Sequence, residues 1–175
     1  MEERQHRWEI AGLLLTLAAG NLLHFIYEWS GGSSVAAAFA AVNESTWEHM
    51  KLLAVPWMAW SLAEAVWSGG EALFPRVLGL LAGLIAIPAA FYTLRGITGQ
   101  THHLVNIVIF QLAVLLAFAV SRWARRSGRF RTRGWQLAGL AILLGTAALF
   151  LRWTYHTPDL PIFADPGTGL PGIPE

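Results

Sequence analysis

Five long apolar runs, separated by short polar segments, dominate the chain. They cover residues 8–27, 47–66, 75–94, 103–122 and 135–153. A helix of about 20 apolar residues is long enough to cross the hydrocarbon core of a bilayer. The pattern therefore predicts an all-α fold, an integral membrane helical bundle of five transmembrane helices. These helices form a single membrane domain over residues 1–175, with a tail at 154–175.

A shorter apolar run, "VAAAFAAV" from Val35 to Val42, lies between the first two spans. At about 1.5 Å per residue it covers roughly 12 Å, which is well short of a crossing. It predicts a short interfacial or re-entrant helix. The first long run follows Arg4 and Arg7 as a signal peptide would, but its apolar stretch exceeds the 7–15 residues of a cleaved segment. We therefore expect it to be a membrane helix.

Composition supports a multi-pass protein of the cell membrane. Of the 175 residues, 55% are hydrophobic and 13% are charged, which is too apolar for an ordinary soluble domain. The absence of cysteine excludes disulfides and thiolate metal sites. P-loop, GxSxG and HExxH motifs are also absent, so P-loop nucleotide binding and the familiar hydrolase signatures have no support.

The charges are distributed unevenly along the chain. The segment "SRWARRSGRFRTRGW", residues 121–135, carries six arginines and no acid. Contact with nucleic acid is one interpretation, but between two membrane helices such a segment is typical of a cytoplasmic loop beside anionic lipid. We expect no nucleic-acid partner. Five spans then place the N-terminus in the cytoplasm and the C-terminus outside, in agreement with a tail that has no Lys or Arg.

This orientation brings three connecting segments to the outer face, namely the 28–46 connection, the 95–102 connection and the C-terminal tail. Five of the six histidines in the chain belong to this face. The ionisable residues expected there are His24, Glu28, Glu44, Glu48, His49, His102, His103, His156, Asp159 and Asp165.

Histidine nitrogens and carboxylate oxygens gathered in this way predict a divalent metal site, with Zn²⁺ preferred. His24 and Glu28 are four residues apart and share a helix face. The expected ligands are His24, Glu28, Glu48 and His102, with His103 and His156 as further candidates. Glu44 and Glu48 are the candidate catalytic carboxylates, Glu44 as a general base or as an acceptor for a ligand imidazole. If the site is catalytic, hydrolysis of a lipid or lipid-linked substrate is the simplest reaction.

Structural roles compete with these assignments. Ser45 and Glu48 fit a capping box, in which Glu48 reaches back to the Ser45 N–H. Alternatively Asn43 caps the helix, and Glu44, Glu48 and Lys51 form one stripe. His49 lies about 100° around the helix from Glu48 and need not share its ligands.

Other features of the chain keep further roles open. The adjacent His102 and His103 cannot both face one neighbouring helix, and Gln111 could hydrogen-bond between helices. The tail either folds over the mouth of the bundle or is a loose terminus.

Two other functions remain open. The same acids and histidines could line a proton or ion path that Glu64 continues inward, as in a transport protein. The polar cluster could also belong to a non-catalytic membrane subunit and serve to dock a partner. A conduit requires polar groups through the whole thickness of the membrane, whereas the middle of these spans is mostly apolar, which favours a one-sided site.

Two motifs carry a resemblance to a known family. The first is H-x-x-Y-E-W-S, residues 24–30, and the second is N-E-S-x-W-E-H-x-K, residues 43–51. Together they resemble an uncharacterised family of small multi-pass bacterial membrane proteins. The resemblance implies the membrane fold and brings no activity with it.

Overall fold

The computed structural model describes residues 2–68, 72–100 and 103–174. Within these ranges the chain forms six α-helices, which confirms the predicted all-α class. Their bounds are α1 Glu2–Trp29, α2 Ser34–Ala37, α3 Thr46–Ser68, α4 Leu73–Thr98, α5 His103–Arg126 and α6 Arg133–Tyr155.

Four helices in the described part of the chain are long and apolar enough to cross a membrane. These segments are Gln5–Trp29, Leu73–Thr98, Leu104–Arg126 and Arg133–Tyr155. Large apolar side chains also face outward on these helices, among them Leu14, Ile85, Leu104 and Leu144, each at least 60% exposed. Such surfaces require an apolar solvent. The molecule is therefore a membrane protein.

The helix α3 lies at the centre of the bundle. It packs against α1 and α4, and α4 packs in turn against α5 and α6. The core between these helices is apolar and closed to solvent. Its members, each at most 1% exposed, are Leu53, Ala54, Trp57, Val77, Leu80, Val114 and Ala117.

Close contact between α4 and its neighbours depends on small residues. A Cβ atom at Gly79 would overlap the Ala117 carbonyl oxygen of α5, and it would come within 2.8 Å of the Trp57 ring of α3. A Cβ atom at Gly83, one turn later, would lie 2.8 Å from the Leu53 side chain. Small residues allow membrane helices to approach closely enough for extensive van der Waals contact.

Polar contacts mark the two ends of the bundle. At the first end, which we call the site end, Lys51 at the start of α3 hydrogen-bonds Thr154 at the end of α6. At the opposite end, the arginine-rich end, Glu64 of α3 pairs with Arg76 and Arg125. Between the ends, Gln111 of α5 donates to Asn21 of α1 over 3.3 Å, an interhelical bond that the sequence had suggested.

The C-terminal tail folds back onto the site end. The backbone N–H of Trp47 donates to the Ile162 carbonyl oxygen at 3.0 Å. Phe163 is 3% exposed, and its ring centroid lies 4.8 Å from that of Trp47 and 5.7 Å from that of Trp153. The tail is therefore part of the folded bundle, which settles the alternative of a loose terminus.

Candidate metal centre

Three ionisable side chains from separate parts of the chain converge at the site end. His24 Nε2 lies 3.4 Å from one carboxylate oxygen of Glu44, and His49 Nε2 lies 3.7 Å from the other. One possible ligand atom from each residue lies within 4.8 Å of the other two. We call these residues the trio. Both imidazoles are mostly buried, whereas the Glu44 side chain is 42% exposed.

The two histidines are held by helix termini. His24 lies in the last turns of α1, and the Phe25 ring stacks against it with a centroid distance of 5.1 Å. His49 lies in the first turn of α3, where Ser45 caps the helix by accepting the Glu48 N–H at 3.3 Å. The predicted Ser45 cap is confirmed. The two imidazoles meet edge to face, with ring centroids 5.5 Å apart.

A hydrogen bond to the backbone determines the tautomer of His49. The Nδ1 atom lies 2.9 Å from the Ser45 carbonyl oxygen. Because a carbonyl oxygen only accepts, Nδ1 must carry the proton. In the neutral imidazole, Nε2 then presents its lone pair toward Glu44. Metal-binding histidines in proteins are commonly oriented by this kind of bond to a backbone carbonyl.

Glu44 is positioned through its backbone by the loop 41–45. Its N–H donates to Asp165 of the tail at 3.0 Å. The neighbouring Asn43 side chain makes two further bonds. Its oxygen accepts the Ser45 N–H, and its nitrogen donates to the Gly172 carbonyl oxygen. These contacts tie the loop to the tail, so the position of Glu44 depends on residues more than 120 places away in sequence.

Asp165 is the anchor of this arrangement. Burial raises the pKa of its carboxyl, but hydrogen bonds from the backbone N–H groups of Glu44, Gly167 and Thr168, with the nearby His49, lower it by more. The pKa therefore lies below its ordinary value. Asp165 is ionised at neutral pH and accepts all three bonds as a carboxylate.

Glu48, predicted as a ligand and as a catalytic group, makes its contacts outside the trio. Its carboxylate lies 2.6 Å from Lys51 Nζ and accepts the Val42 N–H at 3.0 Å. Lys51 is fully buried and also donates to the Ala37 carbonyl oxygen at 2.8 Å. Glu48 thus holds the loop in front of α3, and it does not reach back to Ser45 as the capping box predicted.

Glu28 lies near the trio without joining it. It is exposed, and it lines a cavity of about 210 Å³ together with His24, Asn43 and Glu44. The predicted common face of His24 and Glu28 therefore opens onto one cavity. Since Glu28 lies on its wall, a molecule bound there would contact His24 and Glu44 of the trio together with a second carboxylate.

Of the remaining predicted ligands, one is placed away from the trio and two cannot be compared with it. His102 lies outside the described residues, as does the side chain of His103. His156 is exposed just after α6, outside the trio. Helix spacing predicted no ligand role for His49, because His49 and Glu48 lie about 100° apart around the helix. Glu44 precedes the helix, so the angle between Glu48 and His49 does not govern its contact with His49.

Comparison with known proteins places the chain in a family. The family model of DUF6512, a family of unknown function, matches residues 1–173. The chain belongs to the DUF6512 family. Membership of an uncharacterised family, expected from the two motifs, is confirmed. No curated protein and no solved structure matches the chain. The DUF6512 match brings no activity with it.

Proposed function

We propose that this DUF6512 protein is a membrane metalloprotein that holds a divalent ion, preferably Zn²⁺, between His24, Glu44 and His49. The observation that carries the proposal is the convergence of these three side chains from α1, the loop 41–45 and α3. In tetrahedral zinc sites the ligand atoms lie about 2.0–2.2 Å from the metal, and hence about 3.3–3.6 Å from each other. His24 lies 3.4 Å from one Glu44 oxygen and His49 lies 3.7 Å from the other, close to this spacing. One ligand atom from each of the three residues lies within 4.8 Å of the other two, so a small closure of the trio would complete the site.

The proposed ligand set revises the one expected from the sequence. Glu44 becomes a ligand, because its two carboxylate oxygens face the two imidazoles. Glu48 becomes a positioning residue, since one of its carboxylate oxygens binds both Lys51 and the Val42 N–H and the residue lies outside the trio. His49 joins the set in place of His156, which is exposed and lies outside the trio. The bond from His49 to the Ser45 carbonyl oxygen orients its imidazole.

Three protein ligands leave one position of a tetrahedral zinc ion for water, as in catalytic zinc sites. The bound ion would lower the pKa of that water and provide a nucleophile at neutral pH. The cavity of about 210 Å³ gives the water access to a substrate, with Glu28 on its wall as the general base. Hydrolysis of a lipid or lipid-linked substrate is the reaction we propose.

The proposal includes the full membrane topology. We treat α3, which is 23 residues long, as the fifth span, and α2 as an interfacial helix at the outer face. Alternation of five spans and the arginines at the opposite end support a cytoplasmic N-terminus. The trio then lies at the extracytoplasmic face of the cell membrane, where a lipid substrate can enter from the outer leaflet.

A transport function receives less support from the packing. The centre of α3 is filled by Leu53, Ala54 and Trp57, each at most 1% exposed. At the arginine-rich end, the carboxylate of Glu64 is occupied by Arg76 and Arg125. Proton flux in liposomes that depends on both Glu44 and Glu64 would favour the conduit.

Metal content is the direct test. The purified full chain should contain about one zinc ion, while His49→Ala and Glu44→Gln should each contain only traces. His156→Ala is the matched control, because it removes a histidine of the same end that lies outside the trio, and it should retain zinc. Thermal unfolding of each variant checks that it is folded. Equal trace metal in all four proteins, with Zn²⁺ supplied, would overturn the proposal.

Catalysis is tested separately with Glu28→Gln. This variant should retain zinc. Its zinc-dependent hydrolysis of a lipid ester should be slower than that of the wild type by about 100-fold or more, as expected when a general base is removed. If zinc binds stoichiometrically and Glu28→Gln retains full activity, the metal site stands and the assignment of the base is wrong.

A further inference from the structure

A second cavity lies at the opposite end of the molecule from the trio. Its volume is about 520 Å³, within the range of small-molecule binding sites. It lies between the start of α1 and the end of α5, with the following loop. Four arginines and two glutamates contribute to its lining, namely Arg122, Arg125, Arg126, Arg131, Glu3 and Glu9.

The arginines are only partly neutralised within the protein. Arg122 pairs with Glu9 at 3.3 Å, and Arg125 pairs with Glu64 at 2.8 Å. Arg126 and Arg131 are exposed, and neither forms an ion pair with an acid whose side chain the structure describes. The lining therefore carries excess positive charge, which favours an anion.

One buried donor at this cavity also lacks a partner. The Nε–H of Arg125 is buried and has no hydrogen-bond acceptor among the described residues. A buried donor without an acceptor costs about 1–3 kcal/mol. The exposed guanidinium groups of Arg126 and Arg131 can donate directly to an anionic oxygen bound in the cavity. Guanidinium groups bind phosphate oxygens through paired hydrogen bonds, so a phosphate ester fits this lining well.

The surface beside the cavity is apolar and would suit a phosphate ester that carries an acyl chain. His6 lines the cavity, and Ile10 and Leu14 follow it at intervals of four on the same face of α1. They are 44% and 60% exposed, so an apolar strip leads from the cavity along the outside of the bundle. Trp8 contacts Trp60 and Trp67 at this end, with centroid distances of 5.1 and 5.5 Å, as at a headgroup interface.

We infer that the cavity binds the phosphate of an anionic lipid, whose acyl chain lies along Ile10 and Leu14. The inference does not depend on the metal centre, which lies at the other end of the bundle. It goes further than the general attraction of basic loops to anionic membranes, because it assigns the binding to particular arginines of one cavity.

The test compares two pairs of substitutions that remove equal charge from one segment. Arg126→Gln with Arg131→Gln alters the cavity, whereas Arg129→Gln with Arg133→Gln leaves its lining intact. Binding of phosphatidylglycerol to the detergent-purified full chain is measured by native mass spectrometry and by titration. The first pair should bind about thirty-fold more weakly than wild type, at about 1 kcal/mol for each arginine. The second pair should bind nearly as well as wild type.

Three other probes separate the possible sources. Phosphatidylcholine tests whether the net negative charge is needed, while inorganic phosphate and glycerol 3-phosphate test whether the acyl chains are needed. Weak binding of all three supports an anionic lipid site. Equal losses in both double variants would overturn the cavity assignment, and binding of glycerol 3-phosphate as tight as that of the lipid would overturn the lipid. Circular dichroism melting confirms that both double variants are folded.

Discussion

At the scale of single residues, the most consequential group is the buried pair of Glu48 and Lys51. Lys51 is fully buried and makes three contacts, to Glu48, to the Ala37 carbonyl and to Thr154. Two buried charges are tolerated only when such bonds satisfy them, since each loses its hydration. The pair connects α3 to α2, to α6 and to the loop that carries Glu44, so it stabilises the site without belonging to it.

A double-mutant cycle should measure this coupling. Lys51→Met leaves the carboxylate of Glu48 buried without its cation, and we expect a loss of about 3–5 kcal/mol in the free energy of unfolding. Adding Glu48→Gln should restore about 1–3 kcal/mol relative to the sum of the single losses. Denaturant unfolding in detergent provides the measurement. Glu9→Gln, which breaks the more exposed pair with Arg122, is the control and should cost about 1 kcal/mol or less. Strictly additive losses would contradict the prediction.

Asp165 should make stability depend on pH in the acid range. Its folded-state pKa lies below the ordinary value, so its contribution is present at neutral pH and is lost as pH falls through the folded pKa. Asp165→Asn should destabilise the protein by about 1–2 kcal/mol at pH 7. The gap to wild type should narrow as the pH falls below about 4, the ordinary pKa of an Asp carboxyl. Unfolding curves across this range test the sign. Asp159→Asn on the same tail serves as the control, and a gap independent of pH would refute the prediction.

At the scale of the helices, α3 differs most from an ordinary apolar span. It carries Glu48, Lys51 and Glu64, and Pro56 lies within it. The charged groups are all paired, Glu64 with Arg76 at 2.5 Å and with Arg125 at 2.8 Å. Because α3 lies between α1 and α4, its polar groups face protein partners. The charged residues of α3 are therefore compatible with its position between other helices.

Two glycines of α4 should respond oppositely to alanine. Gly79 has no room for a Cβ against Ala117 and Trp57, so Gly79→Ala should cost about 1–3 kcal/mol through overpacking. Gly96, on the same helix, has open space around its Cβ position. Gly96→Ala should stabilise the protein by about 0.5–1 kcal/mol through helix propensity. Thermal unfolding of both variants tests the contrast. Similar shifts in both would mean that the contact between α4 and its neighbours is looser than described.

At the scale of the whole molecule, the C-terminal tail closes the site end. Asp165, Gly172 and Ile162 bond the loop 41–45 and the start of α3, and Phe163 packs against Trp47. The first and last thirds of the chain are thereby joined across the mouth of the bundle. The geometry of the trio thus depends on the complete fold.

Removal of the tail should weaken metal binding. A chain truncated after Thr157 loses the Asp165 bond to Glu44 and the Gly172 bond to Asn43, although it retains all three members of the trio. Outer supports of this kind typically change metal affinity by about 10- to 100-fold. Competition titration with a zinc chelator measures the change, and Asp159→Asn serves as the full-length control. Unchanged affinity in a folded truncated protein would show that the tail does not position Glu44.

The sequence by itself determined the helical class, the apolar spans and the end of the molecule where ionisable residues collect. These features follow from local composition and from the length that a bilayer imposes. It also indicated Ser45 as a helix cap, because capping depends on neighbouring residues. Only the tertiary structure decided which acids and histidines meet. Glu48 was drawn to Lys51, while Glu44 was brought to His24 and His49 through bonds to a distant tail. Such pairings depend on how whole elements pack, and residue spacing along one helix does not contain that information.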